Sequence, residues 1–147
     1  MVPMSCRKLL KKKSHEKNKS LNTVPQMATV SEMPRCILVA EDNDSNYLLI
    51  KAILKKCDLT RACNGAEAVA LAMQHHYDAI LMDIKMPVMD GLEATRRIRE
   101  VDKNVPIIAV TANTFDSDRA KAIEAGCSAF IAKPLKKSDV EMVLRKL

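Results

Sequence analysis

The sequence lacks an apolar run long enough to cross a membrane, which takes about 20 consecutive apolar residues. Its basic amino terminus is not followed by the apolar region that a secretory signal requires. The five cysteines are odd in number and show no Cys-x-x-Cys spacing, a pattern that favours reduced thiols over a disulfide framework or a cysteine-bound metal. From these absences we expect a cytoplasmic protein that does not insert into a membrane.

Residues 1–35 lack aromatic side chains and are rich in lysine. They hold eight basic and two acidic residues, so this segment carries the net charge of +6 of the whole chain, and residues 36–147 are neutral overall. Because this composition buries too little apolar surface to offset chain entropy, we expect a disordered basic tail or linker. Lysines can contact polyanions non-specifically, but without aromatic rings to stack on bases we do not expect nucleic acid as a partner.

Short apolar runs recur along the rest of the chain, at residues 37–40, 79–82, 107–110 and 129–132. A fifth run, residues 59–63, mixes Thr60 and Arg61 with apolar residues, as an edge strand does. Segments of helical length and pattern separate the runs. Strands that are apolar on both faces and alternate with helices predict an α/β fold, a parallel sheet covered by helices on both sides.

A polar residue follows each central run of this predicted sheet. Glu41 and Asp42 follow the first run, Asp83 the second, Thr111 the third and Lys133 the last. In open parallel sheets, ligands bind outside the carboxyl ends of the strands. The fold therefore predicts that these five scattered residues form one site.

The three carboxylates of this predicted site call for a cation. At about 5 Å and an effective dielectric near 20, each pair of charges repels by roughly 3 kcal/mol, and Lys133 offsets only part of that. Carboxylate oxygens suit Mg²⁺, and no histidine or cysteine is placed to favour zinc. A lysine and a hydroxyl beside such a cation suit phosphoryl transfer, with the aspartate at the centre of the edge, Asp83, as acceptor.

The segments ILVAEDN, ILMDIKMPVMDG, IIAVTAN and IAKP resemble the response-regulator receiver domain of two-component signalling, over residues 36–147. The stretch MPVMDGLEATRRIR is most similar to the receivers of hybrid histidine kinases. The resemblance implies a flavodoxin-like, doubly wound sheet of five parallel strands in the order 2-1-3-4-5, with five helices. It also implies phosphoryl transfer from a histidine kinase or a histidine phosphotransfer protein, in a domain that turns over no separate metabolite.

The resemblance assigns roles in binding the metal and the phosphoryl group. Asp83 matches the phosphoacceptor. Glu41, Asp42 and Asp83 match the acids that hold Mg²⁺, and Lys85 would add its backbone carbonyl. The bond between Lys133 and Pro134 is often cis in the family.

The resemblance also implies a switch. Thr111 and Lys133 match the residues that bond the phosphoryl group, and Thr111 with Phe130 matches the pair that repacks afterwards. Phe130 departs from the commoner tyrosine or histidine. Repacking would change the face made by the fourth helix, fifth strand and fifth helix, which would bind a downstream effector or a second copy of the domain.

Two other functions are compatible with the sequence. A receiver fold can act as an interaction module without being phosphorylated, although the complete acidic triad argues against that. A phosphatase of the haloacid type also uses an aspartate at a strand end. It would have an acid two residues after the nucleophile, where this chain has Lys85.

Overall fold

The computed structural model describes residues 36–112 and 116–147 of the 147-residue chain. Within these residues, five strands alternate with five helices. The strands are β1 (Cys36–Ala40), β2 (Asp58–Ala62), β3 (Ala79–Asp83), β4 (Ile107–Thr111) and β5 (Ala129–Ala132). The helices are α1 (Asp44–Ile53), α2 (Gly65–Gln74), α3 (Gly91–Val101), α4 (Asp116–Ala125) and α5 (Lys137–Arg145). The predicted disordered tail, residues 1–35, lies outside the described residues.

The strands form one parallel sheet in the order β2-β1-β3-β4-β5. This order and the alternation with helices confirm the predicted flavodoxin-like fold. The central strands β1, β3 and β4 are buried along their whole length, whereas β2 is mostly half-buried, as expected of an edge strand. From β1 the chain adds β2 on one side of the sheet, and from β3 it adds β4 and β5 on the other side. The switch point of the sheet therefore lies between the carboxyl ends of β1 and β3.

The two faces of the sheet bury separate apolar layers. Along β1, Leu38 packs into one layer, while Ile37 and Val39 pack into the other, because successive side chains of a strand point to opposite faces. Helices α2, α3 and α4 cover the layer that contains Leu38. Helices α1 and α5 cover the opposite layer, mainly through Ile50 and Leu144. Each fully buried leucine or isoleucine stabilises the fold by about 1.5–3 kcal/mol.

Close backbone contacts hold the loop between β3 and α3 in place. A Cβ atom on Gly91 would lie 2.2 Å from the carbonyl oxygen of Asp83, and one on Gly65 would lie 2.2 Å from that of Met89. The amide of Gly65 donates a hydrogen bond to the same Met89 oxygen at 3.0 Å. Glycine at these two positions therefore lets the helix starts approach the loop that follows Asp83.

The cysteines differ in part from expectation. Cys57, Cys63 and Cys127 form no disulfide, but Cys36 is disulfide-bonded. The expectation of reduced cysteines is therefore wrong for Cys36. Among the helices described, none has the length and apolar character needed to span a membrane.

Candidate functional site

The predicted site residues lie together at the carboxyl edge of the sheet. Glu41 and Asp42 directly follow β1, Asp83 ends β3, Thr111 ends β4 and Lys133 follows β5. An oxygen from each of Glu41, Asp42 and Asp83 lies within 4.8 Å of the other two. Asp42 is exposed, whereas Glu41 and Asp83 are only 1% and 4% exposed. Asp83 is thus more deeply buried than its place at the end of a strand suggested.

Lys133 brings a positive charge to this acidic edge. Its Nζ donates a hydrogen bond to Oδ2 of Asp83 at 3.2 Å and lies 3.7 Å from Oε1 of Glu41. Its backbone amide donates to the carbonyl oxygen of Thr111 at 2.8 Å. The peptide bond between Lys133 and Pro134 is cis, as the resemblance implied. The lysine side chain therefore reaches past the end of β4 to the carboxylates that follow β1 and end β3.

The other oxygen of Glu41 is held by the start of α1. Oε2 accepts hydrogen bonds from the amide of Asn43 at 3.2 Å and from Nδ2 of Asn46 at 3.3 Å. Asn43 is also the N-cap of α1, since its Oδ1 accepts from the amide of Asn46 at 2.9 Å. Sequence reasoning missed both asparagines. The run of aspartate and asparagine after β1 is typical of a helix N-cap and could have identified Asn43.

Electrostatics at this edge disfavour the ionised form of Asp83. Burial and then the charge of Glu41 raise the pKa of Asp83 to about 6, and Lys133 acts in the opposite direction. This shift favours the protonated carboxyl over the carboxylate. At neutral pH the carboxylate is nevertheless the main form. A second cation beside Lys133 would stabilise it further.

The donor set fits a hard divalent cation. Three carboxylates can each direct one oxygen to a common point, and two of these groups are buried beside a single lysine. Such all-oxygen ligands, with room for water on the exposed side, match the preference of Mg²⁺. Lys85, whose backbone carbonyl was the fourth predicted ligand, lies two residues after Asp83 in an exposed part of the loop. Its role as a ligand stays a prediction.

The two predicted switch residues lie on neighbouring strands. Thr111 is 5% exposed at the end of β4, and Phe130 is half-buried on β5, where it pairs in register with Ala109. The guanidinium carbon of Arg119 lies 5.3 Å from the centroid of the Phe130 ring, close enough for a cation–π interaction. Phe130 therefore has a charged neighbour that the sequence did not suggest.

An open groove of about 740 Å³ adjoins Phe130. It lies along α4, and Ile123 on its wall is 57% exposed. The groove thus joins a half-buried aromatic ring to an exposed apolar side chain. It belongs to the predicted partner face of α4, β5 and α5.

The sequence model of the response regulator receiver domain family matches residues 37–145. The chain belongs to this family. The match includes residues of all five strands and the whole of the four site segments.

Curated relatives of this receiver domain include large and small proteins. Hybrid signal transduction histidine kinase G of Dictyostelium discoideum is 40% identical over 117 residues, which are 75% of this chain but 3% of the kinase. The polar-differentiation response regulator DivK of Brucella anthropi is 37% identical over 107 residues, which are 70% of this chain and 87% of DivK. The chain therefore spans a small part of the hybrid kinase and most of the response regulator.

Solved structures of other receiver domains have the same architecture. The receiver domain of sensor histidine kinase PA1611 from Pseudomonas aeruginosa PAO1, solved with magnesium in its active site cleft, is 40% identical with a TM-score of 0.72. The alignment covers 76% of this chain and 95% of that one. The receiver domain of Ssk1 from Saccharomyces cerevisiae, crystallised with the phosphotransfer protein Ypd1, also matches. The alignment with that complex is 29% identical with a TM-score of 0.72, and covers 77% of this chain and 88% of the other.

Proposed function

We propose that this receiver domain accepts a phosphoryl group on Asp83 from a histidine kinase or a histidine phosphotransfer protein, in a reaction that depends on Mg²⁺. The observation that carries the proposal is the position of Asp83. Its carboxylate is hydrogen-bonded by Lys133 at 3.2 Å and shares a 4.8 Å cluster with Glu41 and Asp42. The proposed nucleophile, the Lys133 cation and the proposed metal ligands thus lie at one edge of the sheet.

The acidic cluster would hold the Mg²⁺. Glu41, Asp42 and Asp83 are the carboxylate ligands of the proposal, with the backbone carbonyl of Lys85 as a further one. When bound, the cation would neutralise the charge that builds up on the phosphoryl oxygens. The magnesium in the active site cleft of the PA1611 receiver domain supports this part of the proposal.

The transfer itself needs an ionised nucleophile. In the proposed step, a carboxylate oxygen of Asp83 attacks the phosphorus of a phosphohistidine. The phosphorus–nitrogen bond breaks, its electron pair stays on the imidazole, and an acyl phosphate forms on Asp83. In the metal-free domain, the pKa of about 6 leaves Asp83 ionised at neutral pH. Later attack by water would return the carboxylate, so the domain would catalyse only its own phosphorylation and dephosphorylation.

Lys133 and Thr111 would bind the transferred group. The Lys133 ammonium group already lies between Asp83 and Glu41, so a short movement of a flexible side chain would bring it to a phosphoryl oxygen. The buried Thr111 hydroxyl, at the neighbouring strand end, would donate a second hydrogen bond. Movement of Thr111 towards the phosphoryl group would leave space for Phe130 to repack, and the face of α4, β5 and α5 would change.

The partner class follows from the chemistry of the donor. Ssk1, a structural relative, was crystallised with the phosphotransfer protein Ypd1. We propose a partner of this kind or a histidine kinase as donor for this chain, in the cytoplasm. The switching face would bind an effector or a second receiver domain. We also propose the division of the chain into a basic tail or linker, residues 1–35, and a receiver domain, residues 36–147.

Intact mass spectrometry tests the proposal. The full chain is incubated with acetyl phosphate in Mg²⁺ or in EDTA, and then treated with hydroxylamine, which cleaves acyl phosphates. We expect the mass of one phosphoryl group with Mg²⁺ only, lost after hydroxylamine and absent from Asp83→Asn. Asp139→Asn, in the first turn of α5, is the matched control and should gain the group normally. A receiver domain that binds Mg²⁺ and gains no group from acetyl phosphate or a phosphohistidine donor would act without phosphorylation.

A further inference from the structure

Arg61 of β2 makes one contact with the loop that follows β1 and two with the first turn of α1. Its Nε donates a hydrogen bond to the backbone carbonyl oxygen of Glu41 at 3.0 Å. Its Nη1 lies 2.8 Å from Oδ1 of Asp44, the first residue of α1. Its guanidinium carbon lies 4.9 Å from the centroid of the Tyr47 ring. One side chain therefore holds both ends of the short link between β1 and α1.

This link carries Asp42, the exposed member of the acidic cluster. Within residues 36–112 and 116–147, the Asp42 carboxylate has no hydrogen-bond or ion-pair partner of its own. Its oxygen nevertheless lies within 4.8 Å of those of Glu41 and Asp83. The position of the Asp42 side chain therefore depends on the backbone that bears it, and Arg61 binds the carbonyl of the Glu41–Asp42 peptide.

We propose that Arg61 is a positioning residue for the divalent cation, because it holds the loop that presents Asp42 to Glu41 and Asp83. The inference rests on the proposed Mg²⁺ site. Arg61 itself is not a ligand, since a guanidinium group carries only donors and a positive charge. Groups that orient metal ligands in this indirect way typically change metal affinity by about 10–100-fold when they are removed.

The planar shape of the guanidinium group matters for this role. It donates in two directions, to a carbonyl and to a carboxylate, while its face packs on an aromatic ring. A lysine at the same position would keep the positive charge but cannot make this set of contacts. The substitution Arg61→Lys therefore tests the geometric role of Arg61 while its charge is kept.

The charge of Arg61 alone has the opposite effect on metal binding. A fixed positive charge near a cation site repels the cation, so loss of that charge should strengthen Mg²⁺ binding. Loss of the positioning contacts should weaken it. The two effects differ in sign, and the direction of the change tells which one dominates.

Isothermal titration calorimetry of the metal-free full chain with Mg²⁺ tests the inference. We expect Arg61→Lys to weaken Mg²⁺ binding about tenfold at unchanged net charge, and Arg61→Met to weaken it despite the lost charge. Arg97→Lys is the matched control, because Arg97 makes an exposed ion pair with Glu93 on α3 at 2.9 Å. The Mg²⁺ affinity of this variant should equal that of the wild type. Urea unfolding followed by circular dichroism establishes that each variant is folded.

A variant that leaves the net charge unchanged tests the proposal if the Arg61 variants do not fold. Tyr47→Leu removes the ring on which the guanidinium packs, and should weaken Mg²⁺ binding several-fold. Wild-type affinity in Arg61→Lys, or tighter binding in Arg61→Met, would overturn the positioning role. If both Arg61 variants fail to fold, wild-type affinity in Tyr47→Leu would overturn it. A wild-type chain that binds no Mg²⁺ would instead overturn the proposed function itself.

Discussion

Lys133 Nζ donates a hydrogen bond of 3.2 Å to Oδ2 of Asp83, across the width of the strand that separates β3 from β5. The same Nζ lies 3.7 Å from Oε1 of the buried Glu41. One lysine therefore offsets two buried carboxylates in the metal-free domain. This relationship helps to keep Asp83 ionised at neutral pH despite its burial.

Replacement of Lys133 by methionine should slow phosphorylation of Asp83. The variant loses the ammonium group that would bond the phosphoryl oxygens, and loss of one such donor costs about 100-fold in rate. Lys121→Met, at an exposed position on α4, is the control and should react at the wild-type rate. The rate of phosphate incorporation from acetyl phosphate at saturating Mg²⁺ measures both. Equal rates in Lys133→Met and wild type would remove Lys133 from the mechanism.

Asp83 should make the metal-free domain less stable as pH rises from about 4 to 6. Its pKa is raised to about 6 from the ordinary 3.8, so the folded state holds this proton over a range in which the unfolded chain has lost it. Stability from the protonated group is full below pH 4 and lost as pH passes 6. The free energy of unfolding of Asp83→Asn should therefore be higher than that of the wild type by about 1–3 kcal/mol at pH 7.5 in EDTA.

Urea unfolding at several pH values checks this prediction. The advantage of Asp83→Asn should shrink as pH falls from 7.5 towards 4, because the folded wild type takes up the Asp83 proton as pH passes 6. Added Mg²⁺ should reduce the advantage at pH 7.5, because a ligand that binds only the folded wild type stabilises it. An Asp83→Asn variant less stable than wild type at pH 7.5 in EDTA would show that the raised pKa is wrong.

Gly91→Ala should destabilise the domain and disturb the site together. The added methyl group would lie 2.2 Å from the carbonyl oxygen of Asp83 and 2.9 Å from the Cα of Ile84, so backbone atoms must move. Overpacking of this kind costs about 1–3 kcal/mol. Ala120→Gly, on an exposed part of α4, is a control for backbone entropy and should cost about 1 kcal/mol without an effect on Mg²⁺ binding.

Chemical denaturation measures the stability of Gly91→Ala and Ala120→Gly, and Mg²⁺ titration measures their affinity for the cation. Gly91→Ala should lose both stability and Mg²⁺ affinity, since Asp83 and the following loop shift. Wild-type Mg²⁺ affinity in a destabilised Gly91→Ala variant would mean that the loop moves without the Asp83 carboxylate.

Arg119→Met should remove the cation–π contact with the Phe130 ring without slowing phosphorylation of Asp83. The guanidinium carbon lies 5.3 Å from the ring centroid, and cation–π contacts at exposed sites stabilise by about 0.5–1 kcal/mol. We expect a loss of stability of that size and altered NMR signals of the Phe130 ring. Phosphorylation by acetyl phosphate should keep its wild-type rate, and a loss as large as that in Lys133→Met would contradict this separation.

The sequence could predict the fold because each central strand is a short apolar run followed by a polar residue. Burial on both faces of β1, β3 and β4 made these runs continuous, and the parallel arrangement brought Glu41, Asp83 and Thr111 to one edge. The site residues could be placed on that edge from chain order alone. Their roles came from the resemblance to receiver domains.

Contacts between distant segments could not be predicted in the same way. Arg61 suggested only an edge strand, because its contacts with Glu41 and Asp44 depend on how β2 packs beside β1. The two asparagines on Glu41 depend on the cap geometry of α1. The pKa of Asp83 depends on burial by several elements at once. Local pattern predicts which residues reach the edge, but packing decides how they are held there.

The most direct test maps the phosphorylated residue itself. The full chain is treated with Mg²⁺ and phosphoramidate, whose phosphorus–nitrogen bond resembles that of phosphohistidine. Borohydride then reduces any aspartyl phosphate to homoserine, and tandem mass spectrometry locates the change. We predict homoserine at position 83 alone, and none in EDTA or without the donor. Homoserine at another aspartate, with residue 83 unchanged, would contradict the assignment of Asp83 as the phosphoacceptor.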